Sequence, residues 1–304
     1  GSYQHNTTNK QIAFSGQIAS EHIQIGKILD QPDLGNAIFD ATIVGSVDSN
    51  KTIIGGASVN IDKIEYRDYT YNNIDLSCVK NIDEMNGVIY INDKNIQMAI
   101  TGLAEWEENY MHTNFDIQLA NFSPHSLHLT EDMPELRIST DINIDLYGND
   151  LQTNMLDNVE GYFIFDSLTI TNNNKQQTIK QLNIYIDNDN ESVDKQPTRG
   201  IRIQSDYITA HLSGNYSYYT LPTAVQHILN KSLPALIPQP TDTFPSDIDL
   251  NFYTYFKRLD KLNRVLDLDV EIPSFPTIKG YINNKQMVVK ASVPEVKTEK
   301  TRFK

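Results

Sequence analysis

Apolar side chains recur at every second position in one segment after another of this chain. Ile142, Ile144 and Leu146 alternate with Asn143, Asp145 and Tyr147. Leu182, Ile184 and Ile186 repeat the pattern, as do Ile96, Met98 and Ile100, and Phe115, Ile117 and Leu119. Ile248, Leu250 and Phe252 follow it, then Leu266, Leu268, Val270 and Ile272. Successive side chains of a β-strand point to opposite faces, so each stripe makes a strand with one apolar and one polar face.

Turn signals separate the stripes. Asn92–Asn95 lies between Ile91 and Ile96 and predicts a hairpin. Asn172–Asn174 parts Ile170 from Ile179, and Asp187–Asp194 parts Ile186 from Ile201. In Ile201–Leu212 the phase slips: Ile201 and Ile203 share one parity, Ile208, Ala210 and Leu212 the other. That predicts a bulge or bend at Asp206. Composition agrees, with 35 isoleucines, 16 tyrosines and 11 phenylalanines for pleated surfaces, 30 asparagines for tight turns and only 12 alanines. No regular helices stand between the stripes, which excludes a βαβ fold and implies antiparallel strands.

Two segments depart from period 2. Leu221–Ile237 reads as a helix over about 221–232, capped by Thr220, with Pro222 in its first turn and Pro234 as its stop. Leu221, Ala224, Val225, Ile228 and Leu229 form its apolar face. Phe256, Leu259, Leu262 and Leu266 have helical spacing too, in competition with the flanking stripes. The expected organisation is a tag-scar and polar lead-in over 1–10, a curved β-sheet over 11–237 ending in the helix, a proline-rich linker at 238–247, more sheet over 248–296 and a polar tail over 297–304.

Chemistry is excluded more readily than assigned. The net charge of −14 argues against charge-driven binding to nucleic acid or an anionic membrane. No apolar run is long enough to span a bilayer as a helix. A single cysteine, Cys78, excludes an internal disulfide and a cysteine-only metal site, and its stripe parity with Ile74 and Leu76 reads as packing. Phosphate-loop, dinucleotide, zincin and serine-hydrolase motifs are all missing. Asp187–Glu191 has alternate oxygens, but Ser192 and Thr198 stand where a calcium loop needs Gly and Glu. His125 and His128 would share a face only in a helix, and Pro124 argues for a turn. The acidic pairs Asp83/Glu84 and Glu107/Glu108 point to opposite faces of a strand. The expectation is therefore a non-enzyme with no catalytic residue, cofactor or metal.

The stripes can be used in two ways. Two sheets closing on each other would make a sandwich core. A sheet that curls without closing would line an apolar trough that needs an apolar occupant. An acyl chain suits it, since each buried methylene contributes about 0.8 kcal/mol and 16 carbons roughly 12.

Several phrases resemble one family. They are Phe14–Ile18, Ile23–Leu29 with Leu34-Gly35, Tyr66–Leu76, Ile201–Gly214 and above all Gly87–Gly102, which reads GVIYINDKNIQMAITG. Together they resemble the TamB/AsmA-like family of Gram-negative envelope proteins in its Bacteroidetes form, over most of residues 12–290. The resemblance implies a β-taco sheet whose apolar groove carries phospholipid between inner and outer membranes. It implies a periplasmic protein, anchored in the inner membrane by a segment outside this internal fragment. It also implies an outer-membrane β-barrel partner of the assembly type. The family has no catalytic residues. The groove lining expected here is Ile96, Met98, Ile100, Phe115, Ile117, Leu119, Ile142, Ile144, Leu146, Leu182, Ile184, Ile186, Ile201 and Ile203, acting by excluding water. Exposed sheet edges would let the fragment dimerise. The rival expectation is a secreted β-sandwich binding glycan or protein, with Tyr66, Tyr69, Tyr71, Tyr216, Tyr218 and Tyr219 as a stacking platform.

Overall fold

The computed structural model describes residues 1–6, 11–149, 155–189, 198–232, 248–257, 259–266, 270–271, 275–284, 286–293, 296–298 and 302–303. The linker at 238–247, the stop at Pro234, most of the Asp187–Asp194 loop and the stripe positions Leu268 and Ile272 lie outside the described residues.

In chain order the elements are β1 (Ser2–Asn6), β2 (Gln11–Gln24), α1 (Ile25–Leu29), β3 (Leu34–Val47), β4 (Ile53–Tyr66), β5 (Tyr69–Lys80), β6 (Glu84–Asp93), β7 (Ile96–Glu107), β8 (Tyr110–Phe122) and β9 (Arg137–Asn149). There follow β10 (Val159–Asn172), β11 (Lys175–Asp189), β12 (Thr198–Ser205), β13 (Ile208–Asn215), α2 (Leu221–Ser232), β14 (Asp249–Phe256), α3 (Leu259–Leu266), β15 (Val270–Glu271), β16 (Thr277–Asn283), β17 (Met287–Ser292), β18 (Val296–Thr298) and β19 (Arg302–Phe303). Among the described residues, sixteen strands form one unclosed antiparallel sheet. Its order is β1 to β14, then β16 and β17, while β15, β18 and β19 pair separately. The protein is mostly β, as the stripes require.

Two compact units divide the chain. The first comprises Gly1–Ile144 and Ser167–Gln176. Its hairpins carry the turn chemistry that the twist of antiparallel strands demands. The two-residue links Arg67-Asp68 and Asn173-Asn174 have φ of +49° and +61°, and +47° and +62°. Positive φ at both central positions is the type I′ hairpin, and Asn adopts it at little cost. Arg67 does so while its Nε donates to Asp33 at 3.1 Å and its guanidinium lies 5.3 Å from the Tyr66 ring centre. The link Lys94-Asn95 closes β6 on β7 where the Asn92–Asn95 signal placed a hairpin.

The second unit comprises Asp145–Asp166 and Gln177–Lys304. Of the bulge or bend expected at Asp206, the structure shows a bend tight enough to close a hairpin, so Ile201–Leu212 is two strands, with Ile201 opposite Leu212 and Ile203 opposite Ala210. Ser205 Oγ accepts the backbone N–H groups of Tyr207 and Ile208, each at 3.0 Å, and fixes the turn. Reversal of the chain after an even number of turn residues puts opposite parities on one face. Helix α2 forms as its apolar face predicts. Helix α3 resolves the competing spacing: Leu266 ends it and does not open a strand.

Candidate functional site

Register places the stripes side by side. In the first unit the paired positions Ile18, Ala41, Val59, Leu76, Ile89, Ile100 and Ile117 run in one row across β2 to β8. A second row is Ser20, Phe39, Ile61, Ile74, Ile91, Met98 and Leu119. A third is Gly16, Ile43, Ala57, Cys78, Gly87, Gly102 and Phe115. Positions paired across antiparallel strands share a face, so these rows form one apolar surface. Seven strands have six spacings of about 4.8 Å, so the rows run roughly 29 Å. The interleaved row Ala19, Asp40, Asn60, Asp75, Tyr90, Ala99 and Gln118 faces the other way and is largely polar.

No residue of the three apolar rows is buried. Ile18 is 56% exposed and Ile43 40%, and the other rows' side chains are half-buried. Contiguous exposed apolar surfaces above a few hundred Å² are rare on soluble monomers. Within this face lies a hollow of about 270 Å³ lined by Leu76, Cys78, Met85, Gly87, Ile89, Ile100, Gly102, Ala104 and Phe115, with Ser77, Asn86, Val88 and Leu103 beside them. Its floor is low because the third row carries glycine at two adjacent strands. The Phe115 ring lies over Gly102, where an added Cβ would come within 2.5 Å of two ring carbons. Phe14 covers Gly45 in the same way. An aromatic ring lying on the backbone shields it from water without standing into the hollow.

One end of this face is closed by the turn after β8. Leu127, 1% exposed, packs with Tyr69 and Ile96 and against Tyr71, Ile91, Met98, Leu119 and Phe122. The turn is tied down: Ser123 N–H donates to Asn95 O at 2.9 Å, Asn121 Nδ2 to Lys94 O at 2.7 Å and Arg137 Nη1 to Ser123 Oγ at 2.6 Å. Beneath it the buried Asp93 carboxylate accepts from the Tyr69 hydroxyl, from Asn72 Nδ2 at 2.8 Å and from Asn95 N–H at 2.9 Å. Burial alone would raise the Asp93 carboxyl; the hydrogen bonds from Asn72, Tyr69 and Asn95 outweigh it and hold it below the usual carboxylate range. Burial first, and the bond to Asp93 second, push the Tyr69 hydroxyl up to about 12.

In the second unit Ile186, Ile201, Leu212, Phe252, Gly280 and Val289 form an apolar row, with Ile184, Ile203, Ala210, Thr254, Ile278 and Ala291 beside it. Phe252 covers Gly280, where a Cβ would meet its ring at 2.7 Å. Helix α2 covers one end, with Ala224 fully buried and Leu221, Val225 and Ile228 against Leu250, Ile282, Ile248 and Tyr216. Behind that cluster Arg199 Nε donates to Asp157 O at 2.7 Å, its Nη1 donates to Tyr216 O, and the Asp157 carboxylate accepts from Tyr218 N–H at 2.7 Å.

The sequence-predicted lining falls into groups. Ile96, Met98 and Ile100 on β7 share a face with Phe115, Ile117 and Leu119 on β8, Ile96 buried at the closed end. Leu182, Ile184 and Ile186 on β11 share a face with Ile201 and Ile203 on β12. Ile142, Ile144 and Leu146 are half-buried on β9. The rows on β2 to β6 and the Phe–Gly pairs were missed, because they become visible only once register is known. The proposed tyrosine platform is partly interior: Tyr69 and Tyr216 are buried, Tyr66, Tyr71 and Tyr218 half-buried, and Tyr219 is exposed. His128 lies against the Tyr69 ring, its Nδ1 3.3 Å from Arg67 O. Among the described residues no three His, Cys, Asp or Glu side chains gather as metal ligands, and no helix is long and apolar enough to cross a membrane. No family model, curated protein or solved structure matches the chain.

Proposed function

We propose that this chain binds phospholipid acyl chains along its apolar sheet face, without catalysis, as a periplasmic segment of a TamB-like lipid conduit serving the outer membrane. The observation that carries the proposal is the set of three apolar rows across β2 to β8, left half-exposed with polar rows behind them. Water is excluded by many small contributions, so no single lining residue is indispensable. An inner-membrane anchor and an outer-membrane β-barrel partner belong to the same proposal.

The test is native mass spectrometry of the purified protein, then solvent extraction and lipid analysis. Phospholipid is expected above the level on a control protein of similar size. It should be reduced in Ile100→Asp, and in the second unit by Ile184→Glu. Lipid-free protein that also fails to take up a fluorescent 16-carbon fatty acid would reject the proposal.

A further inference from the structure

The opposite face of the second unit carries a different pattern. Tyr185, Arg202, His211, Tyr253, Lys279 and Lys290 are paired in register across β11, β12, β13, β14, β16 and β17. Six strands have five spacings of about 4.8 Å, so this row of aromatic and cationic groups is roughly 24 Å long. Arg202 is met by Asp187 at 3.0 Å and lies 5.2 Å from the Tyr185 ring centre. From β13 to β17 the neighbouring positions on this face are Thr209, Ser213, Asn251, Tyr255, Thr277, Tyr281, Val288 and Ser292, none of them a carboxylate. That is notable in a chain with 39 acidic residues against 25 basic ones. Lys279 and Lys290 stand directly opposite each other, an arrangement that destabilises a strand pair unless an anion lies between them. Lysine on an edge strand discourages strand addition, which accounts for Lys290 on β17 but not for Lys279 on the inner strand β16. Around them is a hollow of about 340 Å³, lined among others by His211, Asn251, Tyr253, Lys279, Tyr281 and Lys290. Tyr253 is 46% exposed, and its ring centre is 5.8 Å from that of His211.

We infer that this row binds an acidic saccharide chain, with carboxylate-bearing sugars held by Lys279 and Lys290 and sugar faces laid on Tyr253 and His211. The row favours a sugar over a nucleic acid because duplex DNA presents a charge every ~1.7 Å, far denser than cations set one strand apart and interrupted by aromatic rings. A ring that is apolar in its body and wet at its tip suits a sugar face. The inference is independent of acyl binding, since the two use opposite faces of the sheet.

Isothermal calorimetry with a galacturonic-acid hexamer and a neutral galactose hexamer tests it. The acidic hexamer should bind, and its affinity should fall as salt rises. The double substitution Lys279→Gln/Lys290→Gln should weaken it about tenfold, as two exposed charge contacts would. Tyr253→Ala should weaken it about fivefold with the salt dependence unchanged. All three positions are exposed, so circular dichroism and melting temperature should match the parent. The inference is overturned by absent binding, by binding that survives the lysine substitutions, or by equal binding of the neutral hexamer. Tighter retention of a single-stranded oligonucleotide or of phosphatidylglycerol vesicles also overturns it, because the row would then be a general polyanion surface.

Discussion

Gly102→Val puts the apolar hollow to a direct test. An added Cβ sits 2.5 Å from Cδ1 and Cε1 of Phe115. Carbon atoms settle near 3.5 Å, so the ring must retreat by roughly 1 Å or more. Backbone lies beneath it, so the ring swings outward into the hollow of about 270 Å³. Overpacking of this kind costs about 1–3 kcal/mol, a drop in Tm on the order of 2–10 °C for a domain of this size. The displaced ring and the new methyls deny an acyl chain about three methylene contacts. At about 0.8 kcal/mol each that is roughly 2.4 kcal/mol, or about fiftyfold in Kd. Displacement of a fluorescent 16-carbon fatty acid measures it, with circular dichroism confirming the fold. Phe115→Ala in the same background removes the obstruction and should restore binding to within a few-fold of the parent. A folded Gly102→Val protein with parental affinity, or a folded double variant that stays weak, would show that the hollow is not on the ligand's path.

Other perturbations probe the ends of the apolar faces. Burial keeps the Tyr69 hydroxyl protonated in the folded protein up to about pH 12, against an ordinary tyrosine value of 10.0. A raised pKa contributes stability that is full below pH 10 and lost as pH climbs through the folded value, here about 3 kcal/mol. Denaturant midpoints between pH 9 and 12 should show that loss, and Tyr69→Phe should flatten it. Asp93 has the opposite sign: its depressed pKa stabilises the fold at neutral pH, and that contribution should fade in acid below the ordinary aspartate value of 3.8. Asp157→Ala leaves the Arg199 guanidinium, only 12% exposed, without its carboxylate at 3.9 Å. Unfolding free energy should fall by about 3 kcal/mol, more than for any exposed ion pair such as Arg67–Asp33. Ala224→Leu overfills a fully buried position of α2 and should cost about 1–3 kcal/mol in the same assay.

Much of this architecture is legible in the sequence because a half-exposed strand must alternate. The parity of Ile96, Met98 and Ile100 against Phe115, Ile117 and Leu119 follows from period 2 alone, and the structure pairs them accordingly. What period 2 cannot supply is which residue stands opposite which. The phase slip near Asp206 has the same appearance whether one residue is inserted or the chain turns back, and only the bonds of Ser205 Oγ to Tyr207 and Ile208 N–H decide it. Gly102 and Phe115 are 13 residues apart and carry no local mark of their contact. Leu127 sits in a segment without periodicity, and its burial depends on Ser123, Asn121 and Arg137 tying that turn to a hairpin formed earlier. Tyr69 and Tyr216, read as ring surfaces for a ligand, are interior because each lies at an end where other chain closes over the sheet.

The strand order has a consequence for how such a chain is made and how it changes. From β1 to β14 every strand bonds to the strand before it. Where the links are short, as from β3 to β8 and from β12 to β13, each strand can zip onto its predecessor as it leaves the ribosome. Loop-closure entropy stays small at those steps, which favours rapid assembly there despite the all-β content, while the pairing of β14 with β13 waits for α2 to be made. Duplicating or deleting one hairpin would lengthen or shorten the ladder by two rungs, about 10 Å, and leave all other partners in place. A gene for a sheet of this order can grow by tandem copying, and its product remains threadable at every length.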